Sequence, residues 1–198
     1  MFQSSKIIKQ LFYANVAVYI IGILLQLVGF PFYEIFALYP QEGFMIHQLI
    51  TYQFLHGGLM HIAFNMLALI SIGPTVANYL GERKFLIYYL ISGIGSAFLH
   101  MLMVKSAGPL VGASGSIFGI LLMFAILNPN EKLYFYFLIP IKSKYLISVI
   151  FAIEVYCAFF VTGDGIGHFG HIGGGITGAF LLLIDKVLPA KPKKKRWS

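Results

Sequence analysis

Charge and sulfur are what this chain has least of. Only 11% of its 198 residues are charged, 7 of them acidic, and it holds 1 cysteine and 1 tryptophan. A single cysteine, Cys157, excludes an internal disulfide and a cysteine-built zinc centre, so redox chemistry and thiolate metal folding drop out. The scarcity of charge excludes an ordinary soluble domain, because 59% of the residues are hydrophobic and the mean hydropathy is +0.83. A His-Glu-x-x-His pair of the metalloprotease type is missing. So is an internal repeat of the kind that transporters with symmetric halves carry.

Long apolar runs are what the chain has instead. Crossing about 30 Å of hydrocarbon takes about 20 helical residues. Candidate runs lie at residues 11–33, 58–80, 85–104, 114–128, 144–162 and 170–188. The chain therefore reads as an all-α, polytopic membrane protein with six transmembrane helices. A lead-in at 1–10 precedes the membrane domain, 11–188, and a basic tail at 189–198 follows it. The fourth run is short for a span, which predicts a central helix enclosed by the others. The first run is longer than the apolar core of a signal peptide and lacks a small-residue cleavage site, so it is read as a retained helix.

The formal charge of +7 is distributed by side. Lys6 and Lys9, Arg83 and Lys84, Lys132, Lys142 and Lys144, and the run Lys186–Arg196 fall on alternate connections. The opposite connections hold Glu34, Glu42 and Asp164, with Lys105 as their only cation. This asymmetry puts both termini in the cytoplasm, in agreement with an even number of spans. The tail is read as a topology anchor that touches anionic headgroups and not as a nucleic-acid ligand. With no organelle presequence read in the chain, a bacterial inner membrane is the expected location.

Polar residues inside this apolar sequence mark the candidate site. Ser114 lies in Gly112-Ala113-Ser114-Gly115, after Gly108-Pro109 and ahead of an apolar run. A serine at a loop-to-helix junction is either a helix cap or a nucleophile with free backbone N–H donors beside it. His61 and Asn65, four apart, share one helix face; they are either interhelical hydrogen-bonding glue or donors for a developing oxyanion. Gly115 and Gly119 form one small-xxx-small face, and Gly174 and Gly178 another. Two such helices approach closely, and His171, one turn outside Gly174, then comes within hydrogen-bond reach of Ser114. His56, before Gly57-Gly58, sits at the mouth of its helix. Glu154 is costly within a span unless paired, and its partner is not legible; nor is the role of His168. A zinc site on His61, His168 and His171 is the competing use of the histidines, and an ion-conducting protein would use the buried polar groups but leave the serine turn unexplained.

In these residues the sequence resembles the rhomboid intramembrane serine proteases of the minimal six-helix type, from about Gln48 to Asp185. The family's Gly-x-Ser-Gly stands as Gly112-Ala113-Ser114-Gly115, its His-x-x-x-Asn as His61 to Asn65, and its His-x-x-Gly-x-x-x-Gly as His171, Gly174 and Gly178. The resemblance implies Ser114 as nucleophile and His171 as general base, with no third acid residue, no metal and no cofactor. It implies an oxyanion site made by His61, Asn65 and the Ser114 N–H, with His56 supporting the loop. The substrates would be transmembrane segments of other proteins, cut near the outer face of the bilayer through an acyl-enzyme. A rhomboid-like membrane chaperone that binds such clients without cutting them is the alternative. Two positions depart from the family pattern: His47-Gln48 replaces Trp-Arg or Trp-Gln, and Ala77 or Asn78 stands where an acidic residue is common. They put the anchoring of the outer loop and a cytoplasmic contact in question.

Overall fold

A computed structural model describes residues 5–40, 43–104, 108–135, 138–161 and 163–185. The basic tail at 189–198, the whole run Lys186–Arg196, Glu42 and Lys105 lie outside the described residues. Helix α1 runs Lys6–Leu27, followed by two short helices, α2 at Phe32–Phe36 and α3 at Gln48–Thr51, and a 3₁₀ turn at Tyr52–Phe54. The long helices α4 (Leu59–Leu80) and α5 (Glu82–Met103) come next, then α6 (Ser114–Leu127). A hairpin of β1 (Lys132–Phe135) and β2 (Ile139–Lys142) leads to α7 (Ser143–Phe160), and α8 (His168–Ile184) completes the described fold.

By length and composition, α1, α4, α5 and α7 are able to cross a membrane, while α6 and α8 are shorter apolar helices. The order matches the six expected runs, with two differences. Helix α1 takes in part of the expected lead-in and ends at Leu27, well before residue 33. The reason is Gly29, with φ 77°, and Pro31 behind it. The N–H groups of Gly29 and Phe30 turn back onto Gln26 and Leu25, closing the helix as glycine in the left-handed region does. The second difference is the hairpin, which an all-α reading leaves out. Lys132 pairs with Lys142 and Phe135 with Ile139 in antiparallel register, and the aromatic and β-branched residues of the segment favour a pleated conformation over a helix.

Helix α6 touches α4, α5, α7 and α8, and Ile117, Ile120, Met123, Phe124 and Leu127 are buried along it. Its contact with α8 is set by glycine. A Cβ on Gly174 would run into the backbone of Gly115, and one on Gly178 would stand 2.5 Å from the Cα of Gly119. Helix α5 closes the third side. Ser92 faces Gly119, Ser96 faces Gly115, and a Cβ on Gly173 would fall 2.7 Å from the carbonyl oxygen of Gly95. Three helices thus approach at backbone distance, as small-residue stripes allow in lipid.

The connection between α1 and α4 is anchored despite its departure from the family pattern. Gln48 is buried; its Oε1 accepts from the Met45 N–H at 3.2 Å and its Nε2 donates to the Ile35 carbonyl at 3.2 Å. The His47 Nε2 lies 3.0 Å from the same carbonyl, and Thr51 donates to the Phe36 carbonyl at 2.7 Å. At the other end of the bundle, Lys84 and Asp185 pair at 2.8 Å, joining α5 to α8. Glu82 accepts from the Ser5 hydroxyl and the Lys6 N–H at 3.1 and 2.6 Å, joining α5 to α1.

Candidate active site

Ser114 is the first residue of α6, and Ala113 occupies the cap position without any side-chain cap bond. The serine hydroxyl therefore does not cap its helix. Its Oγ lies 2.8 Å from the Nε2 of His171. Because Ser114 opens the helix, its N–H is one of the first-turn donors that the helix itself leaves free. Gly112, with φ 126°, makes the turn into α6, and its N–H donates to the Tyr52 carbonyl at 2.9 Å. A side chain at Gly112 would be strained by the backbone angle and would press on His61, the Cβ falling 2.7 Å from its Nε2.

His171 is held from three directions. Phe118, one turn along α6 from Ser114, stacks on the imidazole with centroids 4.4 Å apart and planes 10° apart. Ser114 occupies one ring nitrogen. The other, Nδ1, lies 2.9 Å from Oε2 of Glu154 on α7. The same oxygen lies 2.6 Å from Nδ1 of His168, whose Nε2 lies 2.9 Å from Oδ2 of Asp164. The resemblance implied no third acid, yet a carboxylate sits against the histidine, and the partner of Glu154 that sequence left unnamed is a pair of imidazoles. Asp164 stands in the α7–α8 connection with its Oδ1 accepting from the Ile166 N–H at 3.0 Å. That backbone donor, and then His168, hold the Asp164 carboxyl below its ordinary value.

The atoms of Glu154, His168 and His171 that face one another lie within 4.8 Å, a spacing that brings metal ligation to mind. The distances favour hydrogen bonds. Ligands held about 2.0–2.1 Å from a tetrahedral zinc stand about 3.3 Å apart, whereas both nitrogens here approach a single oxygen at 2.6 and 2.9 Å. His61, the third histidine of the zinc reading, lies outside this cluster.

A cavity of about 860 Å³ opens in front of Ser114 and His171, lined also by His61, Asn65, Gly57 and Gly58. Asn65 is buried, and its amide nitrogen has no partner among the described residues. An unpaired donor of this kind is costly in an apolar setting and is poised for an acceptor that enters the cavity. His56 is fully buried with its ring edge-on to His61, centroids 5.1 Å apart. Burial, and then its neighbour His61, push the His56 imidazole down to about 4. The His56 carbonyl accepts from the Tyr33 hydroxyl at 2.6 Å, which ties this corner to α2.

Behind the site lies a polar support that sequence reasoning passed over. Gln53, fully buried, accepts from the Ser116 hydroxyl at 2.9 Å and donates to the Leu49 and Leu90 carbonyls at 2.8 and 3.3 Å. Tyr52 donates to the Gly93 carbonyl at 2.6 Å. The signal available was the polar triplet Thr51-Tyr52-Gln53 at the edge of an apolar run.

The fold and cavity define a polytopic, helical membrane protein with a serine, four histidines and an asparagine gathered near one end of its bundle. Comparison with known proteins gives the family. The Rhomboid domain matches residues 43–186, and the chain belongs to the rhomboid family. It is 38% identical over 135 residues to the rhomboid protease GluP of Bacillus subtilis, covering 67% of this chain and 25% of that protein. It is 34% identical over 141 residues to RHOMBOID-like protein 4 of Arabidopsis thaliana, covering 69% of this chain and 34% of the relative. To the mitochondrial Rhomboid protein 1 of Saccharomyces cerevisiae it is 38% identical over 98 residues, 46% of this chain and 28% of the relative. The matched stretches thus span about a third or less of the length of each of these three relatives.

Proposed function

We propose that this protein is an intramembrane serine endopeptidase that cuts transmembrane segments of other membrane proteins. The observation that carries the reading is the 2.8 Å contact between Ser114 Oγ and His171 Nε2, made by a hydroxyl that caps nothing and faces an open cavity. His171 takes the Ser114 proton as Oγ attacks the scissile carbonyl carbon. The resulting oxyanion accepts hydrogen bonds from His61, Asn65 and the Ser114 N–H. His171 returns the proton to the leaving amine, leaving an acyl-enzyme on Ser114. Water entering through the cavity gives a proton to His171 as it attacks the ester, and His171 passes that proton to Ser114 Oγ as the new carboxyl terminus leaves.

A transmembrane helix shields its own peptide bonds, so the favoured substrates are segments that unwind at small or helix-breaking residues. They enter from the bilayer, with cleavage near the outer face. Six spans, with α6 as the central helix, and both termini cytoplasmic complete the proposed arrangement, in a bacterial inner membrane. The domain limits of the sequence reading, 1–10, 11–188 and 189–198, belong to the same proposal, as does the absence of any metal or cofactor from the reaction. The test is labelling of the purified protein by a fluorophosphonate probe together with cleavage of a transmembrane reporter. Ser114→Ala and His171→Ala each lower both by about 10⁴-fold or more. A wild-type protein that neither labels nor cuts any transmembrane segment would instead be the client-binding chaperone.

A further inference from the structure

Glu154 is a carboxylate that the sequence places in the middle of an expected span, and its surroundings follow a definite hydrogen-bond logic. A carboxylate oxygen accepts and does not donate. Both Nδ1 atoms that approach Oε2, that of His171 at 2.9 Å and that of His168 at 2.6 Å, must then carry protons. For His171 this fixes the tautomer: with its proton on Nδ1, Nε2 presents a lone pair to the Ser114 hydroxyl at 2.8 Å. The opposite tautomer would point an N–H at the serine and leave no base. For His168 the second nitrogen faces Asp164 at 2.9 Å, so the ring lies between two carboxylates and donates to both. A cationic ring there offsets the charge of Glu154, which otherwise would be expensive among apolar helices.

We propose that Glu154 is a positioning residue for His171, and that His168 and Asp164 hold Glu154 in place, forming one hydrogen-bonded chain from Ser114 to the α7–α8 connection. This rests on the protease reading for its catalytic consequence, but the tautomer it demands does not. In the reaction Glu154 keeps its charge: it orients the imidazole and stabilises the imidazolium that forms when His171 takes the serine proton, and it takes up no proton itself. His61 on α4 and His100 on α5 are the other imidazoles near enough for the charge of His171 to act on them. Nδ1 of His171 is already taken by Glu154, and a second imidazole carries no negative charge, so neither supplies the carboxylate's role.

The experiment combines two readouts on the full chain in detergent. The first is the rate of fluorophosphonate labelling at Ser114 against pH for wild type, Glu154→Gln and Glu154→Ala. The expected result is a loss of roughly 100-fold or more for Glu154→Ala, a smaller loss for Glu154→Gln, and in both an acid limb moved to lower pH because the imidazolium has lost its counter-charge. Wild-type labelling with an unmoved profile overturns the proposal, and so does a slower rate with an unmoved profile, the mark of a structural effect alone. The second readout is the nitrogen-15 shift pattern of the His171 ring. The expected pattern in wild type is a proton on Nδ1, lost or mixed in Glu154→Ala; a proton on Nε2 in wild type overturns the proposal, whether or not either variant folds. If wild-type protein labels with no probe, the protease reading fails and the nitrogen shifts still decide the role of Glu154.

Discussion

Phe118 lies flat against the imidazole of His171, ring planes 10° apart, while standing one helical turn from the serine that the same imidazole contacts. One helix therefore supplies both the hydroxyl and the surface on which the base rests. The stack limits rotation of the ring about its own bonds. Phe118→Ala is expected to lower labelling of Ser114 about five- to tenfold, the value of an aromatic contact of about 1 kcal/mol. Phe118→Tyr, which keeps the face, should retain the rate. Stopped-flow or gel-based labelling kinetics measure both, and an unchanged rate in Phe118→Ala would remove the stack from the site's workings.

The cavity-facing donors on α4 predict a different kinetic pattern. His61→Ala and Asn65→Ala should each lower kcat on a transmembrane reporter by roughly 10²- to 10³-fold with little change in KM, since their bonds strengthen only when charge develops on the carbonyl oxygen. A rise in KM at constant kcat would make them substrate-binding groups instead.

The seam between α6 and α8 predicts losses of stability and activity together. Gly174→Val and Gly178→Val force side-chain atoms into the opposite backbone. Overpacking of this kind costs about 1–3 kcal/mol. Thermal unfolding in detergent should shift downward for each, and Ser114 labelling should fall further than that loss of folded protein accounts for, because the helices that carry Ser114 and His171 are driven apart. Substitution of Gly29, which has open space around it, is strained only by its backbone angle and should leave labelling of the folded fraction intact.

The pH dependence follows from the base. Labelling should fall on the acid side as His171 takes a proton, and rise to a plateau as pH increases, measured as rate against pH in detergent. Two neighbours are excluded as the source of that limb. His56 is pushed down to about 4, so its own titration falls at the acid end of the range and it is neutral above that, and Asp164 is held low by the Ile166 N–H and by His168, so it is ionised there. A rate flat from about pH 4 to 9 would take the imidazole out of the mechanism.

Much of the site was legible because its parts follow local rules. The spacing of His61 and Asn65 puts them on one face of α4, the glycine pairs announce a close approach of α6 and α8, and the breaker pair before Ser114 marks the start of a helix. Glu154 was visible only as an anomaly. Helix α7 is apolar on every side, so no periodicity reveals which way residue 154 points, and the two imidazoles it meets lie beyond a turn through Gly163 and Gly165. The ends of α1 were blurred for a related reason: counting apolar residues does not register a glycine that closes a helix. Nor does it register the hairpin after α6, whose aromatic residues look the same at a membrane interface as in a strand.

The contact of Gly115 with Gly174 and of Gly119 with Gly178 has a consequence for how the sequence can drift. Elsewhere in a packed protein, a larger residue on one side is accommodated by a smaller one opposite. At Gly174 and Gly178 the obstacle is the main chain of Gly115 and Gly119, which has no side chain to shorten, whereas a Cβ at Gly115 or Gly119 would first meet the side chains of Ser96 and Ser92. For Gly174 and Gly178, then, no shortening of an opposing side chain restores the fit. The separation between Ser114 and His171 is inherited from two main chains in contact and is beyond the reach of compensation, whereas Phe118, Glu154 and His168 hold the ring with side chains that have alternatives.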